Sequence, residues 1–201
     1  MSSIKLTADS NGGTFELKAP ASSSNTRVLT LTDTANLTLH GGRILQVVQS
    51  VKTDKFSTSS FTSWTDIPIT PSITATKTNH KIMVDVMLNV STNNGRHIAF
   101  RLEKDGTRLD AASGDAAGSN RQRGCFHLYN EDQNGQYMVP NFYLKFLDTA
   151  ADTSAHSYNI ACIDWGGQST TQITCNSGES DADQSYESRT ISTVTLTELA
   201  P

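Results

Sequence analysis

The side chains of this sequence that could do chemistry are carboxylates and five histidines, spread along the whole chain. The histidines form no HxH or HExxH pattern, the spacings that place two ligands on one metal; they are His40, His80, His97, His127 and His156. Glycoside hydrolysis needs two carboxyl groups beside one bond, and the candidates are Asp85, Glu103, Asp148 and Asp164. Asp85 and Glu103 fall on the polar faces of adjacent predicted strands. A structural role explains these two residues better than catalysis, because charges that point to water oppose edge-to-edge aggregation of sheets.

Three further patterns could serve catalysis or ion binding, and each lacks a required part. Serine is abundant, but no GxSxG elbow positions a nucleophile. Trp165-Gly-Gly167 lacks the lysine and the helix that follow a phosphate-binding loop. Glu179, Asp181-Ala-Asp183 and Glu187 offer oxygen atoms to calcium without the EF-hand spacing, so we interpret them as a solvated loop. We therefore expect no catalytic residue, no metal ligand, no cofactor and no enzyme activity.

Three aromatic residues are candidates for contact with a receptor. Trp165 follows a predicted strand and opens a long polar loop, while Tyr129 and Tyr137 flank the Asn134-Gly135 turn. Exposed aromatic rings can stack on sugar rings, although tryptophan more often packs inside a protein than binds a ligand. The sequence therefore predicts Trp165, Tyr129 and Tyr137 as contacts for a host-surface glycan.

The elements that must position these residues are short strands. Lys81 to Ser91 alternates with a period of two, so that Ile82, Val84, Val86, Leu88 and Val90 share one side. This pattern predicts a strand with one buried face. Strands are also predicted, more briefly, at 43–51, 96–104, 107–109, 125–129, 136–139, 141–147, 157–163, 172–175 and 189–199. No segment has a helical pattern.

Turn signals organise these strands into a sandwich. Asn93-Asn-Gly95, Asp105-Gly106 and Asn134-Gly135 predict hairpins, because both central residues of a type I′ turn need positive φ. Two long polar loops, 111–120 and 166–188, interrupt the meander. Strands that cross between sheets need such connections. About eight strands over residues 43–201 therefore predict an all-β jelly roll β-sandwich.

Composition and charge exclude several classes of protein. The formal net charge of −4 argues against a nucleic-acid partner, which requires a basic patch. The sequence contains no run of about 18 apolar residues, so membrane insertion is not expected. The N-terminal segment MSSIKLTADS lacks the apolar region of a signal peptide. Cys125, Cys162 and Cys175 fit neither a metal pattern nor a disulfide framework. We expect reduced, mostly buried thiols in a chain made in a cytoplasm.

Residues 1–42 differ from the rest of the chain. Short apolar pairs, such as Ile4 with Leu6 and Phe15 with Leu17, alternate with turn-forming residues. A ribbon of two such strands is marginal in water by itself, so we expect this segment to gain order against other copies. The sequence predicts a short N-terminal β stalk for attachment and trimerisation over 1–42, followed by a knob over 43–201.

Several short segments of the sequence resemble a family of tailed-phage virion structural proteins, including tail-fibre-like proteins. These segments are Ile44–Ser60, Trp64-Thr-Asp-Ile67, Ile69-Thr-Pro71, the strand near Ile82–Val90, Ser192–Leu199 and the leader Gly12–Pro20. The family implies a homotrimer whose C-terminal knob is a jelly roll, similar to the tumour-necrosis-factor and complement globular heads. The resemblance transfers no catalytic residue, and the loops 111–120 and 166–188 lie outside it.

Fold and resemblance together predict a non-enzymatic virion protein, a trimeric tail fibre or adhesin that is assembled in the host cytoplasm. Residues 1–42 are expected to bind other virion proteins, and the loops of the knob to bind the host surface. A capsid decoration protein, such as a head fibre or cement protein, is the alternative with the same fold and trimer. A polysaccharide-degrading enzyme is the third possibility, and it requires a groove with close carboxylates.

Overall fold

Strands make up nearly all regular structure of the chain. The computed structural model describes residues 3–7, 14–18, 43–59, 62–93, 95–115, 118, 120–130, 137–164 and 171–200. In chain order the strands are β1 (Ser3–Thr7), β2 (Thr14–Lys18), β3 (Ile44–Lys52), β4 (Phe56–Ser59), β5 (Thr65–Asp66), β6 (Ser72–Thr74), β7 (Lys81–Thr92), β8 (Arg96–Lys104), β9 (Thr107–Arg108), β10 (Phe126–Asn130), β11 (Asn141–Thr149), β12 (Ala155–Asp164), β13 (Gln172–Cys175) and β14 (Ser192–Leu199). A 3-10 turn lies at Asp110–Ala112. Within the described ranges, no helix is long and apolar enough to cross a membrane.

The chain divides into two units, residues 1–39 and residues 40–201. In the first unit β1 and β2 form an antiparallel ribbon, whose register places Ile4 opposite Leu17 and Leu6 opposite Phe15. The predicted apolar pairs of this unit beyond Lys18 lie outside the described residues. The role of residues 1–42 in attachment and trimerisation stays a prediction.

The second unit is a sandwich of two antiparallel sheets. Its strands occupy eight positions in chain order: β3 with β4, β5 with β6, β7, β8, β10, β11, β12, and β13 with β14. Position one pairs with position eight, two with seven, three with six and four with five. One long antiparallel ribbon folded back over itself produces this pairing, which is that of a jelly roll. The predicted fold class is confirmed.

The order of the strands defines two sheets. The first sheet runs from β3 and β4 through β14 and β13 to β7 and then β11. The second sheet runs from β5 and β6 through β12 to β8 and then β10, with β9 beside β8. In each sheet, one face covers the core and the other faces outward.

The core lies between the two sheets and follows the predicted alternation. Ile82, Val84, Val86, Leu88 and Val90 are all buried on the inner side of β7. The second sheet contributes its own alternate residues, namely Ile98, Phe100, Leu102, Leu128, Tyr158, Ile160 and Cys162. Branched aliphatic side chains on both inner faces explain why β-structure prevails here, since they pack well on a pleated surface.

The predicted hairpins have different outcomes. Asp105 and Gly106 have φ values of 52° and 71° and join the paired strands β8 and β9, as expected of a type I′ turn. The segment around Gly95 instead connects β7 of the first sheet to β8 of the second, so the predicted hairpin at 93–95 is wrong. Asn134-Gly135 lies outside the described residues, and residues 137–140 form no strand.

The stretch after Trp64 contains two prolines. Two short strands, β5 and β6, flank it and both pair with β12. Pro68 and Pro71 stand between these strands, where a missing N–H interrupts no ladder. The prolines therefore split one strand position into two short pieces.

Candidate functional site

The outer face of the first sheet carries two apolar rows with a polar row between them. Register places Val47, Thr197, Met83 and Leu147 in one row and Val51, Thr193, Met87 and Tyr143 in the other. The most exposed large side chains of the face lie at its two margins: Ile44, Val47 and Val51 on β3, and Tyr143 and Leu147 on β11. Val47 is 57% exposed and Leu147 is 51% exposed.

The polar row of this face is satisfied internally. Gln49 donates to the Thr195 hydroxyl at 2.8 Å, and the Lys145 ammonium lies 3.3 Å from an Asp85 oxygen. The Tyr143 hydroxyl donates to the same carboxylate at 2.8 Å. The row therefore holds a neutralised ion pair, and another surface can cover it without burying a lone charge.

The outer face of the second sheet presents an aromatic stripe, which consists of His127, His97 and Tyr129. The His97 ring stacks on Tyr129, with centroids 4.1 Å apart and planes 12° apart. His127 continues the stack, with its ring centroid 5.4 Å from that of His97. Burial, and then the neighbouring His97, lower the pKa of His127, which favours the neutral imidazole. His127 Nε2 lies 3.3 Å from His97 Nδ1, so Nδ1 is the nitrogen of His127 that a ligand could reach.

A groove of about 410 Å³ lies at the β10 end of this stripe. Its lining residues are Ala99, Arg121, Gln122, Gly124, Cys125, Phe126 and His127. Gly124 lets the segment before β10 approach β8, since a Cβ at this position would lie 2.4 Å from the Phe100 carbonyl oxygen. The Cys125 amide donates to that oxygen at 2.7 Å. A glycine is thus required to place Arg121 and Gln122 along the groove.

The predicted receptor contacts occupy separate places. Tyr129 belongs to the aromatic stripe and is 42% exposed. Tyr137 makes an edge-to-face contact with Tyr186 at 5.5 Å, and its neighbour Met138 shares a small pocket with Tyr129. Trp165 lies outside the described residues. His97 and Tyr186 were not predicted as receptor contacts, and only the structure shows that their rings pack against Tyr129 and Tyr137.

The carboxylates do not form the glycosidase pair considered from the sequence. β7 and β8 belong to different sheets, so Asp85 and Glu103 lie on opposite outer faces, and the expected adjacency of their strands is wrong. Glu103 is buried and accepts a hydrogen bond from Arg101 at 2.6 Å. Asp148 accepts from Lys104 and Tyr158, and Asp164 accepts from Thr171 at 2.7 Å.

One pair of neighbouring carboxyl groups was missed. Burial, and then the charge of Glu103, raise the pKa of Asp66, so these groups face each other beside Arg101. Trp64 stacks on the Arg101 guanidinium, with its ring centroid 4.1 Å from Cζ. Glu103 has almost no exposed surface, and a bond-cleaving pair needs both groups within reach of substrate. The arrangement is that of a structural cluster.

Glu198 lies on the inner face of β14, in register with Val194 and Leu196, and has no exposed surface. It accepts hydrogen bonds from the Thr76 hydroxyl at 2.7 Å and from Gln46 at 2.6 Å, and contacts His80 Nδ1 at 2.6 Å. Burial alone would raise the pKa of Glu198, but these hydrogen bonds lower it to about 2. The carboxylate thus joins β3, β14 and the loop before β7.

The acidic loop after β13 is held by cations of the chain itself. Asp181 pairs with Lys55 at 2.9 Å and with Arg189 at 2.7 Å, and the bond from Lys55 is the main reason that its pKa is lowered. Among the described side chains, no group of three or more potential ligands is placed to hold a metal. Lys55 and Arg189 therefore supply the positive charge that balances Asp181.

All three cysteines are free thiols. Cys162 and Cys175 are buried, and Cys125 is half-buried. Burial raises the pKa of Cys125 to about 11 and that of Cys162 to about 12. These thiols are protonated at neutral pH, and a protonated thiol is a poor nucleophile and metal ligand.

Comparison with known proteins gives only a distant likeness. No protein-family model matches the chain, and no curated protein matches it. Its fold is similar to that of a chain in the structure of infectious bursal disease virus Gx strain, with 12% identity and a TM-score of 0.36 over 97% of this chain and 46% of that one. A chain of the infectious bursal disease virus VP2 subviral particle gives 12% identity and a TM-score of 0.35 over 91% of this chain and 46% of that one. The present chain spans about half the length of these solved chains, both of which are viral.

Proposed function

We propose that this chain is a non-enzymatic structural protein of a tailed-phage virion, a trimeric fibre or adhesin that attaches the particle to its host. The observation that carries the proposal is the outer face of the first sheet, with its two apolar rows. Several large apolar side chains exposed on one sheet face mark a candidate interaction surface. The resemblance of the sequence to phage virion proteins supports the same conclusion.

The occupant of this face is a second copy of the chain. Covering the two apolar rows removes Val47, Val51 and Leu147 from water, which is the main driving force of permanent association. The central polar row contains its own partners, so covering it leaves no lone charge, and the burial of apolar side chains must offset the desolvation of the Lys145–Asp85 pair. In a ring of three copies, the outer face of each first sheet contacts the next copy. The ring is closed, so no such face stays exposed at an end.

Attachment is divided between two parts of the chain. Residues 1–42 bind other virion proteins, and the predicted loops after β10 and β12, with Tyr137 and Trp165, contact the host surface. Tyr129 lies on the strand that leads into the first of these loops. A weak contact between each aromatic residue and a surface glycan becomes stable adhesion when several trimers engage together.

Sedimentation of the full chain tests the assembly face. The wild-type protein is expected to have three times the mass of a 21.8 kDa chain. V47K places a charge on an apolar row and is expected to yield monomers. M138K is the matched control, because Met138 is 53% exposed and belongs to neither apolar row, lying instead beside Leu128 and Tyr129 of β10. A monomeric wild-type protein, or a V47K variant that remains trimeric, refutes assembly through this face.

Imaging of labelled virions tests the position on the particle. A label on this chain is expected at the tail, where a host-attachment protein must act. A label on the head shell would refute attachment and favour the capsid decoration protein, which shares the predicted fold and trimer.

A further inference from the structure

The outer face of the second sheet holds a groove and an aromatic stripe that nothing described so far occupies. We propose that together they bind an acidic saccharide, with a sugar carboxylate on Arg121 and sugar rings along His127, His97 and Tyr129. This inference rests on the proposed attachment function and names the chemistry of its ligand. The groove of about 410 Å³ is within the usual range for small-molecule sites.

Arg121 supplies the charge that selects the ligand. It is exposed and lines the groove, and it makes no hydrogen bond or ion pair with the described part of the chain. Arg123, two residues on, is already committed to the Gly114 carbonyl at 2.9 Å and to Asp110. A free guanidinium beside a groove presents paired N–H donors that match a carboxylate.

The rest of the site favours a sugar over other anions. Gln122 and the neutral His127 offer hydrogen-bond donors and acceptors that suit hydroxyl groups. The stacked His97 and Tyr129 rings lie beside them. Their ring faces offer an apolar surface to a sugar, and their polar atoms can hydrogen-bond. A nucleic acid would need many cations, whereas this groove has one arginine in a chain of net charge −4.

The groove stays open in the proposed trimer. The assembly face belongs to the first sheet, and the groove lies on the outer side of the second sheet, across the core. Ala99 lines its inner side with a small side chain, and Gly124 admits no larger residue because of the Phe100 carbonyl. The shape of the groove is therefore set by packed backbone of β8 and β10.

Calorimetric titration of the full chain with oligosaccharides tests the proposal. The probes are alginate oligosaccharides, which carry a carboxylate on every sugar, and dextran oligosaccharides of equal length, which carry none. Wild-type protein is expected to bind alginate and not dextran. R121Q is expected to bind alginate at least about tenfold more weakly, since one charge-assisted bond is lost, and Y129A is expected to weaken binding as well.

R43Q is the matched control, because Arg43 is exposed at the start of β3 and its loss changes the net charge equally. Sedimentation of each variant checks that folding and assembly are retained. Equal binding of dextran and alginate, or equal losses in R43Q and R121Q, overturns the acidic-saccharide site. Labelled protein that binds host cells but not alginate overturns this site and leaves attachment standing. Alginate binding without cell binding supports the site and refutes attachment.

Discussion

Glu198 should control how this sandwich responds to acid. Its carboxylate is fully buried at one end of the core and accepts hydrogen bonds from Thr76 and Gln46, with His80 in contact. The change to test is E198Q, which keeps the size of the side chain and removes its charge. A glutamine amide nitrogen cannot accept the bond that Gln46 donates, so one half-buried donor loses its partner.

The size of the effect follows from the pKa. The pKa of Glu198 falls from its usual 4.5 to about 2 in the folded protein, which corresponds to about 3 kcal/mol of folding free energy. Because the folded pKa is depressed, this contribution is complete above pH 4.5 and is lost as the pH falls toward 2. E198Q should therefore lower the unfolding free energy by about 3 kcal/mol at pH 7, and the difference from wild type should shrink below pH 4.5.

Urea unfolding at fixed protein concentration, repeated between pH 7 and pH 2, measures this difference. Concentration must be fixed because assembly adds to apparent stability. E179Q is the control, since it makes the same chemical change in the loop after β13, outside the network around Glu198. A loss in E198Q no larger than that in E179Q, or a loss that is constant from pH 7 to pH 2, would refute the reasoning.

Two further predictions concern other local features. A hydrogen bond to Asp105 at 2.6 Å is the main reason that the pKa of His156 is raised, so its contribution is complete below pH 6.5 and is lost at higher pH. H156Q should lower the thermal midpoint more at pH 6 than at pH 9, and equal losses would contradict this. Gly124→Ala should lower the midpoint because its Cβ meets the Phe100 oxygen at 2.4 Å, whereas Gly114→Ala meets its nearest atom at 3.5 Å; equal midpoints of the two variants would be the contrary result.

Patterns that depend on near neighbours in the chain could be predicted from the sequence. The alternation in Lys81–Ser91 placed five apolar residues on one face, and all five are buried. The turn at Asp105-Gly106 was predicted correctly, because the tolerance of positive φ depends on these two residue types alone. Burial of Cys162 and Cys175 followed from the ordinary preference of free thiols for the interior.

Features that depend on distant strands could not be predicted in this way. The turn signal at 93–95 predicts that the chain reverses direction, but it does not predict whether the next strand joins the same sheet. Here β7 and β8 join different sheets, and Asp85 and Glu103 are separated as a result. Glu198 shares the register of Val194 and Leu196, yet its hydrogen-bond partners lie on β3 and in the loop before β7, 118 or more residues earlier in the chain. No local pattern could indicate them.

The jelly roll pairing explains why the two proposed surfaces do not compete. Folding one ribbon over itself places β3, β14, β7 and β11 in one sheet and β12, β8 and β10 in the other. The apolar residues Val47, Val51 and Leu147 therefore gather on one outer face, while Arg121, His127 and Tyr129 border the opposite one. If copies associate through the first face, their aromatic stripes point away from the axis, and each trimer presents three equivalent sites. Multivalent binding then requires no change of fold, so loss of trimers in V47K should lower binding to host cells more than binding to soluble alginate oligosaccharides.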